Sequence, residues 1–253
     1  MKHYISGIKC ILFVFTIIFP AGCSKSEMKS SKERVLTKTD DTTLSYILSP
    51  PDNKGNISVE EALYNRRSRR DFQDKEISEK QLSQILWACY GITSPRAENS
   101  AMRGGLRTAP SAGALYPLEI YVLVGKVKNI KPGIYKYIAK NHKIVMTINR
   151  DLRKELCAAA LNQEMISKAP AVLFYSAIYN RCTERYGNRG RERYVCMDLG
   201  HSAQNVYLQV EALHLGTCAI GAFNDDSVKK TMQLSSDEEP LYIMPIGYYL
   251  NKP

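Results

Sequence analysis

Apolar and polar residues along the chain follow two periods, one typical of helices and one typical of strands. A serine followed three positions later by Glu or Gln opens two predicted helices, residues 58–65 and 78–90, and Gly91 ends the second. Residues 118–124 alternate as a strand does, and the apolar run at residues 169–179 is typical of a strand buried on both faces. These segments therefore predict a mixture of helices and strands.

The remaining elements follow from turn residues and from longer apolar patterns. A hairpin is predicted to turn near Lys140-Asn141, and Asp151 is predicted to cap a helix over residues 152–161. The longest helix is predicted over residues 191–215, with Gly216 after it. Four further predictions are an irregular segment at 95–107, a short strand at 217–222, a helix after Asp225-Asp226 and a last strand at 241–248.

The longest predicted helix is apolar around most of its circumference, which predicts a place in the core or at a subunit contact. Its polar positions fall on one stripe at helical spacing, namely Asp198, Ser202, Asn205 and Gln209. Both hairpin and long connections occur between the strands. The predicted fold class is therefore α+β, with helices packed around one sheet.

The amino-terminal segment has the pattern of an export signal. An apolar run at residues 10–19 follows two lysines, is short for a bilayer span and is followed by small residues. Cys23 after Ala-Gly resembles the lipidation site of bacterial lipoproteins, although Pro20 stands where that pattern usually has leucine. An uncleaved membrane anchor is the alternative, and both interpretations place the protein at a membrane.

These features divide the chain into three parts. We expect a lipoprotein-type signal peptide at residues 1–22 and a flexible tether, rich in Ser, Lys and Thr, at residues 23–43. Residues 44–253 are long enough for one sizeable domain. The expected location is therefore the bacterial cell envelope, with the domain exported and anchored through the lipid on Cys23.

The chain is basic, with 35 Lys and Arg against 25 Asp and Glu and a net charge of +10. Nine arginines lie in two clusters, RRSRR at residues 66–70 and RCTERYGNRGRER at residues 181–193. A nucleic-acid partner is not predicted, because the sequence has no groove-reading motif and no basic stripe interleaved with aromatic residues. Arginines beside a serine suit a phosphate monoester, but the first cluster also suits a solvated helix end. Both interpretations stay open on composition alone.

Five cysteines follow the amino-terminal segment, and none forms the C-x-x-C pair of a zinc site, so no metal is predicted. Cys89, Cys157, Cys196 and Cys218 fall on predicted apolar faces and are expected in the core. Cys182 lies in a polar stretch and is expected in a loop. The odd number does not predict a disulfide framework.

Small residues at 110–114, just before a predicted strand, let the backbone approach something flat or bulky. With five other motifs in order, this stretch resembles the FMN-dependent nitroreductase superfamily. The motifs are RRSRRDF, LWACYGI, APSAGALYPLEIYVLV, PGIYKY, RYGNRGRERYVCMDLGHSAQNVYLQVEAL and AIGAFND. Within that superfamily they are most similar to the SagB-type branch, the azoline dehydrogenases of thiazole/oxazole peptide maturation, over residues 44–248.

The resemblance implies that FMN is held by several separate segments. The matching positions are Arg66, Arg67, Ser68 and Arg70 for the phosphate and ribityl chain; Pro110, Ser111 and Ala112 for the loop along the flavin; Ile220 and Gly221 for the backbone N–H beside flavin N5; and Lys252 for the phosphate. Nitroreductases commonly carry a basic pair near the carboxyl end, and here Lys252 stands alone. The phosphate is therefore expected to depend more on the arginine cluster.

The resemblance also implies a nitroreductase-like fold, with a central, mainly antiparallel sheet surrounded by helices, and a homodimer with two flavins at its interface. The long helix at residues 191–215 matches the central helix of that interface. His201 and Asn205 lie on it, and His201 is expected to be a hydrogen-bonded interior residue. Since little chain follows the last predicted strand, residues 43–51 are the candidate for an arm around the partner.

In azoline-forming dehydrogenases a Lys-Tyr pair is implicated in deprotonating the substrate, and the matching place here reads Arg185-Tyr186. Arginine stays protonated at ordinary pH, so Arg185 cannot act as a general base. It can instead orient a carboxylate or stabilise an enolate-like charge, and Tyr186 can shuttle a proton. The alternative is a loop cluster packed by arginine.

The resemblance therefore predicts an FMN-dependent oxidoreductase that exchanges hydride between FMN and a small organic or peptide-derived substrate. The electron partner stays open among NAD(P)H, a quinone and oxygen. An exported protein has no NAD(P)H pool beside it, so we expect electrons to pass from the substrate to oxygen or a quinone. A second hypothesis is an exported flavin- or ligand-binding lipoprotein without turnover. A basic nucleic-acid or anionic-surface binder is the third.

Overall fold

The structure is a computed structural model that describes residues 43–96 and 104–250, all within one compact unit, Leu36–Pro253. In these ranges the strands are β1 (Ser45–Ile47), β2 (Ile92–Pro95), β3 (Gly105–Arg107), β4 (Leu118–Val124), β5 (Gly133–Ile138), β6 (Lys143–Ile148), β7 (Ala171–Ile178), β8 (Gly216–Thr217) and β9 (Glu238–Gly247). The helices are α1 (Val59–Asn65), α2 (Glu79–Tyr90), α3 (Arg153–Ala159), α4 (Met165–Lys168), α5 (Asn180–Tyr186), α6 (Val195–Ala212) and α7 (Asp225–Met232).

Seven strands form one sheet in the order β1-β6-β5-β4-β7-β9-β8, and every neighbouring pair is antiparallel. Strands β2 and β3 form a separate two-stranded ribbon. The predicted α+β class, with a mainly antiparallel sheet and helices around it, is confirmed.

Hydrophobic cores lie on both faces of the sheet because successive side chains of a strand point to opposite faces. On one face, Ile120 and Val122 of β4 belong to the core that includes α2 and α6. On the other face, Tyr121 and Leu123 belong to the core that includes α3 and α7. The β7 strand, buried over almost its whole length, contributes to both cores, as its continuous apolar run predicts.

The predicted helix starts are confirmed in α1 and α2. Ser78 Oγ accepts from the Gln81 N–H at 3.1 Å, and Gln81 Oε1 accepts from the Ser78 N–H at 2.9 Å, which completes a capping box. Ser58 Oγ accepts from the Glu61 N–H at 3.1 Å. Such a cap stabilises a helix by about 1 kcal/mol.

The long helix is shorter than predicted, since α6 begins at Val195 and a π-helical turn, Gly190–Tyr194, precedes it. The turn brings Gly190 against the Cys182 backbone, where a Cβ would lie 2.9 Å from the Cys182 carbonyl oxygen. Gly187, with φ 57°, separates this turn from α5. The apolar pattern of residues 191–215 predicts a helix and its buried face. The positive φ of Gly187 and the contacts of Gly190, which the pattern does not show, determine that regular α-helix begins only at Val195.

Other element boundaries also differ from the predictions. The stretch predicted as irregular, residues 95–107, contains β3, which pairs with β2, a strand that ends at Pro95. The strand predicted at 217–222 is reduced to β8 and a bridge between Ile220 and Ile243. Asp151 does not cap α3 as its N-cap residue, which is Leu152, although Asp151 Oδ1 accepts from the Arg153 N–H at 3.2 Å. Tertiary contacts set these boundaries, and such contacts cannot be inferred from the local sequence pattern.

Two expectations about cysteines are wrong. Cys182 is fully buried in α5 beneath the π-helical turn, whereas Cys196 is exposed near the start of α6. The residues around Cys182 in the sequence are polar, but a short helix buries only one side, and Cys182 lies on that side. Cys89, Cys157 and Cys218 are buried as expected.

His201 and the amino-terminal strand also depart from expectation. His201 is exposed on α6 rather than interior, because the helix turns Leu199, Ala203 and Val206 toward the sheet. In β1, Ser45–Ile47 pairs with β6 of its own chain, so these residues form a sheet edge rather than an arm. Across residues 43–96 and 104–250, no helix has the length and apolar character needed to cross a bilayer.

Candidate active site

The phenol of Tyr207 on α6 joins two segments that the resemblance assigned separately to FMN. Its oxygen accepts from the Ala219 N–H at 2.7 Å and lies 3.2 Å from Ser68 Oγ. Because the phenol accepts from Ala219, its own proton is available to Ser68. The Arg66 guanidinium lies over the Tyr207 ring, 5.3 Å from its centroid, in a cation–π contact. The first arginine cluster and the backbone before Ile220 are therefore neighbours.

The arginines of this first cluster divide into one structural residue and three available ones. The Arg69 N–H donates to the Thr217 carbonyl at 2.8 Å, and its guanidinium stacks on Tyr249 at 4.2 Å. Within the described ranges, Arg66, Arg67 and Arg70 form no ion pair with a carboxylate. Three cations beside a serine hydroxyl fit the dianionic phosphate of FMN.

Two further contacts define the surroundings of the cluster. Arg67 Nη1 donates to the Tyr64 and Arg66 carbonyls at 2.9 Å each, which holds the guanidinium at the carboxyl end of α1. Burial raises the pKa of Glu211, and the nearby Arg69, Arg67 and Arg66 oppose that rise. The cluster therefore has one partly buried carboxyl group at its side.

The loop with Pro110, Ser111 and Ala112 is attached to α6 through Asp198. Ser111 Oγ donates to Asp198 Oδ2 at 2.5 Å and accepts from the Tyr116 N–H at 2.9 Å, while the Ala112 N–H donates to Asp198 Oδ1 at 3.2 Å. Burial raises the pKa of Asp198, and the hydrogen bonds from Ser111 and Ala112 oppose the rise. The serine thus fixes the loop on the helix.

Arg185 and Tyr186 meet this loop at Gly113. A Cβ on Gly113 would lie 2.6 Å from Tyr186 Oη and 3.2 Å from Arg185 Nη1, and φ at Gly113 is 61°. Ala114 and Tyr116 also have positive φ values, 55° and 47°. Such backbone costs free energy and is held only by its surroundings. The structure therefore brings both predicted catalytic residues to the predicted flavin loop.

The segment with Ile220 and Gly221 differs from expectation in one respect. The Ile220 N–H donates to the Ile243 carbonyl at 2.9 Å, and the Ile220 carbonyl accepts from the Ile243 N–H at 3.0 Å. The Ile220 amide is therefore committed to the sheet and is not the donor for a flavin. Gly221 is exposed, with the Tyr242 ring beneath it, 3.3 Å from the position of a Cβ.

Lys252 and Cys23 lie outside the described residues. Sequence reasoning missed Tyr207 as a site residue, since a tyrosine on an amphipathic helix has no local signal of a role. Asp198 was identified only as part of a polar stripe, and its contact with Ser111 joins residues 87 positions apart. The sequence does contain a signal for Asp198, because a carboxyl group on the buried face of a helix needs a hydrogen-bond partner.

Residues 63–248 match the model of the nitroreductase family. The chain belongs to the nitroreductase family. A protein of Methanocaldococcus jannaschii named as a candidate nitroreductase is 44% identical over 191 residues, which is 76% of this chain and 91% of that protein. The microcin B17-processing protein McbC of Escherichia coli is 30% identical over 135 residues, which is 51% of this chain and 48% of McbC. By family, the protein is an oxidoreductase with SagB-like relatives.

Solved structures agree with this membership. A crystal structure of a candidate nitroreductase from Ralstonia eutropha JMP134 has a TM-score of 0.69 at 29% identity, covering 82% of this chain and 90% of that chain. The E. coli microcin synthetase McbBCD complex with bound truncated pro-MccB17 gives a TM-score of 0.60 at 24% identity, covering 79% of this chain and 76% of that chain. The similarity to the McbBCD complex, at 24% identity, concerns the fold alone. The two structures together confirm the nitroreductase-like fold.

Proposed function

We propose that this nitroreductase-family protein is an FMN-dependent oxidoreductase acting on a small organic or peptide-derived substrate. The observation that carries the proposal is the Tyr207 phenol, which holds Ser68 and the Ala219 N–H together. Through it, the cationic cluster that fits a phosphate is joined to Ala219, two residues before the exposed backbone of Gly221. When bound, FMN supplies two-electron redox chemistry.

Each segment has its own task in this proposal. Arg66, Arg67 and Arg70 bind the phosphate dianion, and Ser68 donates its hydroxyl proton to a phosphate oxygen or accepts from the ribityl chain. The Gly221 N–H is the donor toward the flavin ring, because the Ile220 N–H is committed to Ile243. Lys252 is a further proposed phosphate ligand.

Tyr186 and Arg185 are the proposed catalytic residues, with different tasks. Tyr186 Oη lies at the Gly113 backbone and can hold or move a proton there. Arg185 keeps its positive charge at every ordinary pH, so it stabilises negative charge and does not take up a proton.

We further propose that a second copy of the chain completes the site in a homodimer. Asp198 carries the flavin loop and Tyr207 carries the phosphate segment, and they are nine residues apart on α6. Nine residues make about two and a half turns, so the two side chains leave opposite sides of the helix. The two parts of the site therefore face different directions in one chain, and a twofold partner can bring complementary parts together.

The substrate and compartment belong to the proposal as well. Two relatives named as processing proteins, the microcin B17-processing protein McbC and the trifolitoxin-processing protein TfxB, support a peptide-derived substrate. Export and anchoring through Cys23 would deprive the protein of NAD(P)H, leaving oxygen or a quinone as electron acceptor. If this is correct, Cys23→Ser in the full chain releases the protein from the membrane fraction, and persistent membrane association contradicts lipid anchoring.

The decisive test of the function is the flavin itself. The purified protein should be yellow with an FMN spectrum, and Arg67→Ala should weaken FMN binding by at least about tenfold through loss of a charged phosphate contact. Arg150→Ala removes the same charge at an exposed position after β6 and should leave FMN affinity unchanged. A colourless protein that refuses added FMN, or undiminished FMN affinity in Arg67→Ala, contradicts the proposal.

A second candidate function is an exported flavin carrier without turnover. The observation that favours it is Arg185, a residue unable to act as a base where SagB-type dehydrogenases have lysine. Mixing the flavin-loaded protein with NADPH, reduced quinones and oxygen separates the two functions. Turnover with any donor–acceptor pair identifies an enzyme, and rapid flavin reduction by NADPH argues against the quinone or oxygen proposal.

A further inference from the structure

The second arginine cluster, residues 181–193 on α5 and the π-helical turn, contains one arginine with a structural role. Arg181 forms an ion pair with Glu119 and donates to the Tyr116 carbonyl at 3.2 Å. It therefore fixes α5 to the sheet and to the end of the flavin loop. The other four arginines of the cluster are exposed, namely Arg185, Arg189, Arg191 and Arg193.

Within the described part of the chain, these four arginines have no carboxylate partner. In residues 43–96 and 104–250, none of them forms an ion pair, although Glu184 and Glu192 lie in the same segment. Arg191 stacks on the Tyr179 ring at 4.3 Å. Four like charges on one short segment repel one another unless an anion lies among them. The segment thus carries unsatisfied positive charge.

Aromatic rings lie among these charges at the predicted catalytic position. Tyr186 and Tyr194 contact edge to face, with ring centroids 4.8 Å apart. Arg189 Nε donates to Tyr194 Oη at 3.1 Å, so this guanidinium braces the second ring. The Arg185 guanidinium lies over the Tyr186 ring, 5.4 Å from its centroid, and its Nη1 lies at the Gly113 position of the flavin loop together with Tyr186 Oη. One guanidinium that has no carboxylate partner in the described part of the chain and one phenol thus converge at a single point.

We infer that the substrate is an anion, a planar molecule whose carboxylate pairs with Arg185 while its apolar part lies against Tyr186. This inference rests on the proposed function, because it needs a flavin beside the 110–114 loop. A guanidinium binds a carboxylate through two parallel N–H donors, a geometry that an ammonium cannot match. With arginine in place of lysine, residue 185 cannot transfer a proton, but it can bind an oxyanion of the substrate.

The test compares two probes of nearly equal shape and different charge. Benzoate and benzamide are titrated into the flavin-loaded protein, and the shift of the visible flavin spectrum gives each Kd. We expect benzoate to bind at least about tenfold more tightly than benzamide, as a charged arginine contact requires. Arg185→Gln should reduce this preference to about twofold or less, and Arg185→Lys, which keeps the charge but loses the paired donors, should fall between them.

Arg193→Gln is the matched control, since it removes one charge from the same segment at another exposed position. It should keep the benzoate preference of the wild-type protein. Equal binding of the two probes to the wild-type protein overturns the inference, and so does an Arg193→Gln effect as large as that of Arg185→Gln. If Arg185→Gln fails to retain flavin, Arg185→Lys decides: a reduced benzoate preference supports the inference, and a preference equal to that of the wild-type protein overturns it.

The outcomes also separate this inference from the proposed function. A protein that binds no FMN overturns both. A flavin-loaded protein that turns over but does not distinguish benzoate from benzamide overturns the anionic substrate alone.

Discussion

At the scale of single residues, one hydroxyl group organises the proposed cofactor site. Tyr207 Oη contacts both Ser68 and the Ala219 N–H, so the phosphate segment and the flavin-ring segment are positioned by the same atom. The arginines supply charge, but their long side chains do not fix their own positions. A positioning residue of this kind affects cofactor affinity without contributing charge.

Tyr207→Phe tests that role. It removes the hydroxyl, leaves the Ala219 N–H without its acceptor and should weaken FMN binding about fivefold, or ~1 kcal/mol, the usual value of one hydrogen bond. FMN fluorescence titration measures the Kd. Tyr248→Phe removes another hydrogen-bonded hydroxyl, the one that accepts from Gln81 Nε2 at 3.0 Å, and should leave FMN affinity unchanged. Equal effects in the two variants would show that Tyr207 acts only through general stability.

At the scale of secondary-structure elements, α6 works through its polar stripe. The stripe residues bond two segments of the chain. Asp198 accepts from Ser111 and Asn205 donates to the Thr108 carbonyl, both between β3 and β4. Ser202 donates to the Cys89 carbonyl and Gln209 accepts from the Gln84 side chain, both on α2. The spacing of the stripe is visible in the sequence. The hydrogen-bond partners of the stripe are not visible there, because they are distant in the chain: the partner of Asn205 lies 97 positions away and that of Gln209 lies 125 positions away.

The β5–β6 hairpin is coupled to α2 by His142, which has φ 43° at the turn. Tyr137 Oη lies 2.8 Å from its Nδ1, and Ser83 Oγ lies 2.7 Å from its Nε2. Ser83 Oγ donates to the Ser49 carbonyl, so His142 Nε2 carries the proton that Ser83 accepts. The ring is therefore held in its neutral form with both nitrogens bonded.

This arrangement predicts a pH-dependent stability. Burial lowers the pKa of His142 below its ordinary value of 6.5, so the unfolded state binds a proton more readily. The stabilisation from neutral His142 is present above pH 6.5 and is lost as the pH falls through the lower pKa of the folded state. Urea unfolding between pH 8 and pH 5 should show this decline, and His142→Asn, which tolerates positive φ, should reduce its slope. An identical slope in both proteins would exclude His142 as its source.

At the scale of the whole molecule, the proposed site needs two copies of the chain. The outer face of α6 carries Met197, 52% exposed, and Gly200, around which nothing lies within 4 Å of a Cβ position. Exposed apolar residues also lie on α1, where Val59 is 63% exposed and Leu63 is 52% exposed. Apolar exposure on neighbouring elements favours burial by a partner.

Met197→Glu should therefore disrupt assembly and cofactor binding together. A charge at that position opposes burial, so light scattering should show the mass of a monomer and FMN content should fall at least about tenfold. Leu161→Glu places the same charge at a 64% exposed leucine after α3 and should preserve both dimer and FMN. A Met197→Glu monomer that keeps stoichiometric FMN would show that one chain holds the whole site.

Elements whose signals are local could be predicted from the amino-acid sequence. Caps at Ser58 and Ser78, the β4 alternation and the buried run of β7 depend on neighbouring residues, and so these helices and strands occur as predicted. The motif order determined the family and the candidate residues for FMN. Local chemistry also determined that Arg185 is a permanent cation.

Features that depend on contacts between residues distant in the chain follow only from the folded structure. Burial of Cys182, exposure of His201 and commitment of the Ile220 N–H to Ile243 each follow from packing between separate elements. The same is true of Tyr207, whose hydroxyl has a role only because two loops meet on either side of it. Hydrogen bonds and burial are properties of three-dimensional neighbours, and a linear pattern records only which residues are able to form them.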